Sequence, residues 1–224
     1  MKKCTLLAAF ALSLMIVPSL RAQVEMSAGP VVGLNINLHT GSELPKNVTG
    51  YGVIAGLQGD IEFTPTLGAR FSVAYDNRIG SYSQAGTDAA TSLDYTLDRV
   101  VTVAYVNIEP LFKYTIPNRP VFLVAGASIG INAGSKAEAT TTITTPGYTF
   151  SNGYSTQTTS DDIQNMNLRF ELKAGIGYFI RFDKMTRVSF QATYGYGLTN
   201  VVKESDWKIR TFSLRGSLDL GIER

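Results

Sequence analysis

Residues 167–182 read NLRFELKAGIGYFIRF. Over the first eight positions Asn167, Arg169, Glu171 and Lys173 alternate with Leu168, Phe170, Leu172 and Ala174. Wound as a helix, at about 100° per residue, the polar side chains would spread around the cylinder and leave no apolar stripe. Extended as a strand, the same residues divide cleanly, because successive side chains point to opposite faces. One face then carries Asn167, Arg169, Glu171, Lys173, Gly175 and Gly177. The other carries Leu168, Phe170, Leu172, Ala174, Ile176, Tyr178, Ile180 and Phe182. The stretch is a strand with one polar face, and its neighbours decide whether the apolar face meets a core or a lipid.

The same alternation predicts seven further strands. The first, about 29–38, sets Val32, Leu34, Ile36 and Leu38 against Gly33, Asn35 and Asn37. The second, about 51–63, sets Tyr51, Val53, Ala55, Leu57, Ile61 and Phe63 against Gly52, Gly56, Gln58, Asp60 and Glu62. The third, about 67–77, opposes Leu67, Ala69, Phe71, Val73 and Tyr75 to Gly68, Arg70, Ser72 and Asp76. The fourth, about 99–115, opposes Val106, Ile108, Phe112 and Tyr114 to Asn107, Glu109 and Lys113. The fifth, about 120–132, alternates Val121, Leu123, Ala125, Ala127, Ile129 and Ile131 with Gly126, Ser128, Gly130 and Asn132. Residues 167–182 are the sixth. The seventh, about 186–198, alternates Val188, Phe190, Tyr194, Tyr196 and Leu198 with Arg187, Gln191, Thr193, Gly195 and Gly197. The eighth, about 209–222, alternates Phe212, Leu214, Leu218, Leu220 and Ile222 with Ser213, Arg215, Ser217 and Asp219. Pro110 cannot donate to a ladder, so the fourth strand is expected to bulge or end early there.

The connections alternate in length. Thr64-Pro65-Thr66, Pro117-Asn118-Arg119 and Asp183-Lys184-Met185 read as tight turns, whereas 39–50, 77–98, 133–166 and 199–208 are longer. Long loops on one rim and short turns on the other are the layout of an outer-membrane barrel. A soluble eight-stranded barrel would alternate too, so volume decides. The apolar faces carry many Leu, Ile, Phe and Tyr, far more than the interior of an eight-stranded barrel holds. The polar faces are thick with Gly and Ser, which suits a cramped lumen.

Charge gives the same answer. Glu62, Glu109, Glu171 and Asp219 share the inferred lumen face with Arg70, Lys113, Arg169, Lys173, Arg187 and Arg215. Inside a narrow barrel these groups can pair; facing lipid at mid-membrane, each Arg or Lys would cost roughly 2–4 kcal/mol. A one-residue slip would put the whole set into lipid, so register is pinned. Tyr51, Phe63, Tyr75, Phe112, Tyr114, Phe182 and Tyr196 lie near strand ends and fit aromatic girdles at the two interfaces.

The N-terminus reads as export machinery rather than fold. Lys2 and Lys3 precede the apolar run Leu6–Val17, and residues 18–22 offer a cleavage site, so 1–22 are expected to be a signal peptide and 23–224 the barrel domain. The single cysteine, Cys4, precedes that run, which leaves residues 23–224 without thiol or disulfide chemistry. A formal net charge of +2 provides no field for nucleic acid.

Motifs for chemistry are thin. Gly126-Ala127-Ser128-Ile129-Gly130 matches a nucleophile elbow by pattern, but it lies in mid-strand and no histidine follows it. The sole histidine, His39, falls where the first strand meets a long loop and reads as a solvated loop residue. A rim enzyme would need it beside Asp76 and Ser81 or Ser83. Asp161-Asp162 lacks the spacing of a calcium loop, and one histidine without cysteine does not make a zinc site. Ser205-Asp206-Trp207-Lys208 has no partner motif, and Trp207 reads as an interfacial anchor or loop-tip contact. No catalytic residue, cofactor or metal is expected.

Ala22-Gln23, YVNIEPLFKYTI at 105–116, RPVFLVAGASIGI at 119–131 and FELKAGIGYFIRF at 170–182 together resemble the small PorT-like and OmpA-like outer-membrane β-barrel families. The resemblance implies an all-β, eight-stranded, up-and-down antiparallel transmembrane barrel. It also implies insertion by the barrel assembly machinery, although the ending Gly-Ile-Glu-Arg224 lacks the terminal aromatic common in such proteins. The expected role is structural or surface-binding, with outer-membrane lipid around the barrel and loops 77–98 and 133–166 offered to a surface partner. A narrow channel is the alternative, and a rim-located lipid-modifying enzyme a third possibility.

Overall fold

The computed structural model describes residues 25–42, 44, 48–183 and 185–222; the expected signal peptide, 1–22, lies outside the described residues. Strands β1 (Glu25–Thr40), β2 (Val48–Glu62), β3 (Leu67–Thr87), β4 (Asp94–Thr115), β5 (Val121–Ile143), β6 (Thr156–Asp162), β7 (Arg169–Arg181), β8 (Thr186–Gly197) and β9 (Lys208–Ile222) account for most of these. Each pairs antiparallel with its neighbours. β1 pairs with both β2 and β9, β4 with β5, and β5 with β7, so eight strands close into a ring that β6 does not join.

Burial is inverted relative to a water-soluble protein. Leu34 and Tyr51 are 65% and 74% exposed, while Arg78 and Glu109 are 0% exposed. Such a molecule satisfies its hydrophobic surface only in hydrocarbon, and closure leaves the ring no unpaired edge there. All seven girdle aromatics point outward.

Tight turns join the strands at one end. The Phe63 amide donates to the Leu67 carbonyl at 2.9 Å, and Arg119 donates to Ile116 at 3.1 Å. Asn118, at φ 58°, takes the left-handed conformation this second turn requires, which asparagine tolerates better than most residues. Asp183 closes a third turn by accepting from the Met185 and Thr186 amides at 2.6 and 2.7 Å. Those short hydrogen bonds hold the Asp183 carboxyl below the usual aspartate range.

At the other end the structure corrects two expected loops. Residues 77–98 and 133–166 are largely strand: β3 pairs with β4 out to Thr87 and Asp94, β4 with β5 out to Tyr95 and Ile143, and β6 pairs with Lys136–Thr142 of β5. Together they raise a four-stranded sheet above the ring. Where β6 pairs with β5 the faces are largely polar, with Thr140 meeting Thr158 at 3.1 Å and Thr142 meeting Thr156 at 3.4 Å. β6 and the far end of β3 have no apolar face to mark the period, which is why the alternation fades from the sequence.

Pro110 neither bulges β4 nor ends it. The residue lies opposite Phe71 of β3, and the β4–β5 register is the same on both sides of it, at Ile108↔Ile129 and Leu111↔Gly126. The missing donor interrupts pairing locally without displacing the strand. The bulge sits instead between Ala104 and Tyr105, where Asn132 Nδ2 donates to the Ala104 carbonyl at 3.1 Å.

Candidate functional site: the filled lumen and its mouth

Each lumen charge is placed by the strand period, so acids and bases from strands across the barrel converge. Nearest the tight turns, Asp60 accepts a two-pronged contact from Arg70, Nε and Nη2 both at 2.7 Å. It also accepts from Lys113 Nζ at 2.6 Å and Arg187 Nη2 at 2.7 Å. Glu62 accepts from Lys113 at 3.0 Å and Arg187 Nη1 at 2.7 Å. Asp219 accepts from Arg187 Nε at 3.2 Å and from Ser217 at 2.9 Å.

At mid-barrel Glu109 holds Lys173 and Arg215, the latter at 2.5 and 2.9 Å, and accepts from Ser72 at 3.0 Å. Toward the mouth, Glu171 accepts from Arg78 Nη2 at 3.1 Å and Arg169 Nη2 at 3.0 Å. Asp76 accepts from Arg78 Nη2 at 2.6 Å, Asn35 at 2.6 Å and Asn107 at 2.8 Å. All ten charges expected in the lumen lie in this chain of contacts: Glu62, Arg70, Glu109, Lys113, Arg169, Glu171, Lys173, Arg187, Arg215 and Asp219. Seven cations face six acids, so no large uncompensated charge is buried.

Three members escape the sequence reading. Asp60 and Asp76 stood on the polar faces, but nothing marked them as partners. Arg78 fell one residue beyond the expected end of the third strand. The alternation does continue through Asp76, Arg78 and Gly80, but polar Asn77 interrupts its apolar side. Asn77 Oδ1 accepts from the Val53 amide at 2.6 Å, so that polar residue is occupied by backbone.

Apolar side chains complete the filling. Leu111, Phe122 and Val124 form a buried cluster toward the turns, with Phe179 stacked on Phe122 at 6.5 Å between centroids. Arg70 and Lys113 lie over the Phe122 ring at 4.6 and 5.1 Å, and Arg187 over Phe179 at 5.4 Å. Gly177 is required here: a Cβ would meet the Phe122 ring at less than contact distance. At the mouth, Val103, Tyr105, Val201 and Ile209 form a second cluster, joined by Met166, Val202 and Trp207. The link 198–207 thereby folds over the opening, tied by Asn167 N to Val201 O at 2.9 Å and Val201 N to Trp207 O at 2.7 Å.

His39 corrects the expectation of a solvated loop residue. It is 1% exposed, belongs to β1 and stacks on Trp207 with centroids 5.6 Å apart. The Trp207 Nε1–H can only donate, so His39 Nδ1 accepts it, at 3.1 Å. Nε2 then carries the ring proton and donates to the Ile79 carbonyl at 3.2 Å. Asp76 is engaged by Arg78, Asn35 and Asn107, while Ser81 and Ser83 belong to β3 in the raised sheet. Ser81 and Ser83 are exposed whereas His39 and Asp76 are buried, so the serines lie on the opposite face of the wall from the histidine. Gly126–Gly130 is mid-strand in β5, with no elbow. Among the described residues, no group of three or more His, Cys, Asp or Glu is placed to hold a metal.

Trp207 is a loop-tip contact. Beside it, Asp206 Oδ1 accepts from the Ser42 amide at 2.9 Å and from its hydroxyl at 3.0 Å, joining two links across the mouth. The Ser42 amide keeps the Asp206 carboxyl below the usual aspartate range.

A closed ring of eight antiparallel strands with lipid-facing aromatics and a charge-filled interior defines a small transmembrane β-barrel. Residues 21–203 match the outer membrane protein beta-barrel domain, and the chain belongs to that family. It is a bacterial outer-membrane protein. Among solved structures the chain is similar to Ail, the attachment invasion locus protein of Yersinia pestis. That match has 17% identity and a TM-score of 0.39, and it covers 88% of this chain and 99% of Ail. It is also similar to the Neisserial surface protein A (13% identity, TM-score 0.37, covering 86% and 96%). A third similarity is to OprG from Pseudomonas aeruginosa (8%, TM-score 0.36, covering 90% and 96%). No curated protein matches the sequence.

Proposed function

We propose that this barrel is a closed, non-catalytic anchor that holds the sheet formed by residues 77–98 and 133–166 at the cell surface, where that sheet meets a partner. One observation carries the reading. The lumen is occupied from turn end to mouth by paired charges and apolar clusters, while three ring strands continue beyond the ring and β6 joins them as a fourth strand of ordered sheet. A barrel with a filled interior has little use for long ordered strands outside the membrane unless they touch something. Outer-membrane lipid surrounds the apolar belt, and insertion uses the barrel assembly machinery. The segments 105–116, 119–131 and 170–182 support a PorT-like placement within the family.

The test replaces 137–161 with a short Gly-Ser turn in the full chain. The variant should insert and remain heat-modifiable. Cells carrying it should lose at least about tenfold of the binding that wild-type cells show across a panel of immobilised surface proteins, a difference of about 1.4 kcal/mol. Undiminished binding after truncation, or no binding by the wild type, would refute the reading.

A further inference from the structure

From the raised sheet we infer a binding site for an extended, basic peptide segment, added as a further strand along the free edge of β6. The inference rests on the surface-binding reading and names its partner class.

The geometry begins with the hairpin. The Ile143 amide donates to the Ser155 carbonyl at 2.8 Å, and Ile163 donates to Ser135 at 3.1 Å. These two bonds bracket the β5–β6 ladder, whose register pairs Lys136 with Asp162 and Thr142 with Thr156. In an antiparallel ladder, alternate residues exchange both backbone bonds with the partner. Residues 157, 159 and 161 therefore face β5. Thr156, Thr158, Ser160 and Asp162 turn their N–H and C=O groups the other way. Among the described residues, no strand pairs with that side.

β6 contains no proline and no lysine and pairs with β5 without a bulge, and its only charges are Asp161 and Asp162 at one end. It is exposed along its whole length. A row of four free donor–acceptor pairs, spaced about 7 Å apart, is a template for strand addition.

Charge selects the occupant. Residues 81–100 and 134–163 carry six acids, Asp88, Asp94, Asp98, Glu138, Asp161 and Asp162, against two bases, Arg99 and Lys136. This imbalance is confined to the sheet, because the whole chain is at +2. A second copy of the chain would bring like charges together. A segment alternating Lys or Arg with β-forming residues would meet the acids while completing the ladder. The opposite margin of the sheet, β3 beyond Ser81, has no acid within the strand, so β6 is the favoured edge.

The experiment uses the full chain in detergent micelles and three labelled probes: an acetylated (Lys-Thr)4 peptide, the same peptide N-methylated at alternate backbone amides, and (Glu-Thr)4. The lysine peptide should bind, with affinity falling as salt rises. N-methylation, which keeps charge and removes donors, should weaken binding at least about tenfold, and the glutamate peptide should not bind. Ser160→Pro removes one outward amide without touching the β5 ladder, and should weaken binding by a similar factor. Asp161→Asn with Asp162→Asn should flatten the salt dependence. Equal binding of the methylated peptide, equal binding of the glutamate peptide, or full affinity in a folded Ser160→Pro variant would each overturn the inference. If the 137–161 truncation abolishes cell binding while the methylated peptide binds as well as its parent, the edge inference fails and the surface-binding reading stands. If the peptide docks as expected but truncated cells bind undiminished, the surface-binding reading fails.

Discussion

The ring and the sheet above it share β3, β4 and β5, yet they obey opposite rules. Within the ring every residue is committed to one of two solvents. Leu34, Leu214 and Phe71 face lipid, and Arg70, Glu109 and Lys173 face the lumen. Above the ring β3, β4 and β5 continue unbroken, but Ser83, Thr140 and Thr158 meet water on either face. An alternating sequence marks a solvent difference across a strand, not the strand itself. Where that difference ends at the membrane boundary, the hydrogen-bonded ladder persists and the sequence signal stops.

The two regions should respond to charge in opposite ways. The largest expected effect comes from Glu109→Gln, which leaves Lys173 and Arg215 buried without their carboxylate. Removing one partner of a buried pair costs about 3–5 kcal/mol, measurable as a lowered denaturant midpoint for the protein refolded in lipid vesicles. Leu214→Arg puts a cation on the lipid face near the middle of β9 and should cost roughly 2–4 kcal/mol in the same assay. Gly177→Ala forces the Phe122 ring to shift within a packed lumen, with an expected loss of about 1–3 kcal/mol. Thr158→Arg, on exposed β6, should change stability by less than about 0.5 kcal/mol. A large loss there, or none at Glu109, would erase the distinction between ring and sheet.

The contrast accounts for what could be read in advance. The eight ring strands and all ten expected lumen charges follow from the period, because Leu168, Phe170 and Leu172 against Arg169, Glu171 and Lys173 leave one arrangement that avoids charge in lipid. β6 did not follow, since Thr-Gln-Thr-Thr-Ser-Asp-Asp has no apolar side. Arg78 was lost because Asn77, engaged with the Val53 backbone, mimics the end of a strand. The burial of His39 is hidden for a different reason. Its burial depends on Trp207, 168 residues away, folding over the mouth, and no local pattern encodes that contact.

The mouth offers the smallest expected effect. Backbone amides hold the Asp206 carboxyl below its ordinary range, so its link to Ser42 contributes stability above about pH 4 and loses it as pH falls through the lowered value. The Ser42 amide bonds the Asp206 carboxylate at 2.9 Å and reports this link directly. The Ser42 amide proton shift, followed by NMR in micelles, should change as the pH drops below about 4, whereas Asp206→Asn should remove that transition and leave the barrel folded.

On the proposed function, paired charges and apolar clusters close the lumen. Planar-bilayer recording of the purified wild-type protein tests it most directly. The filled lumen predicts no steady conductance at any holding potential that the bilayer survives. A stable ohmic conductance in the wild type, rising when Arg169 or Glu171 is neutralised, would show that the charges line a pore and do not close it.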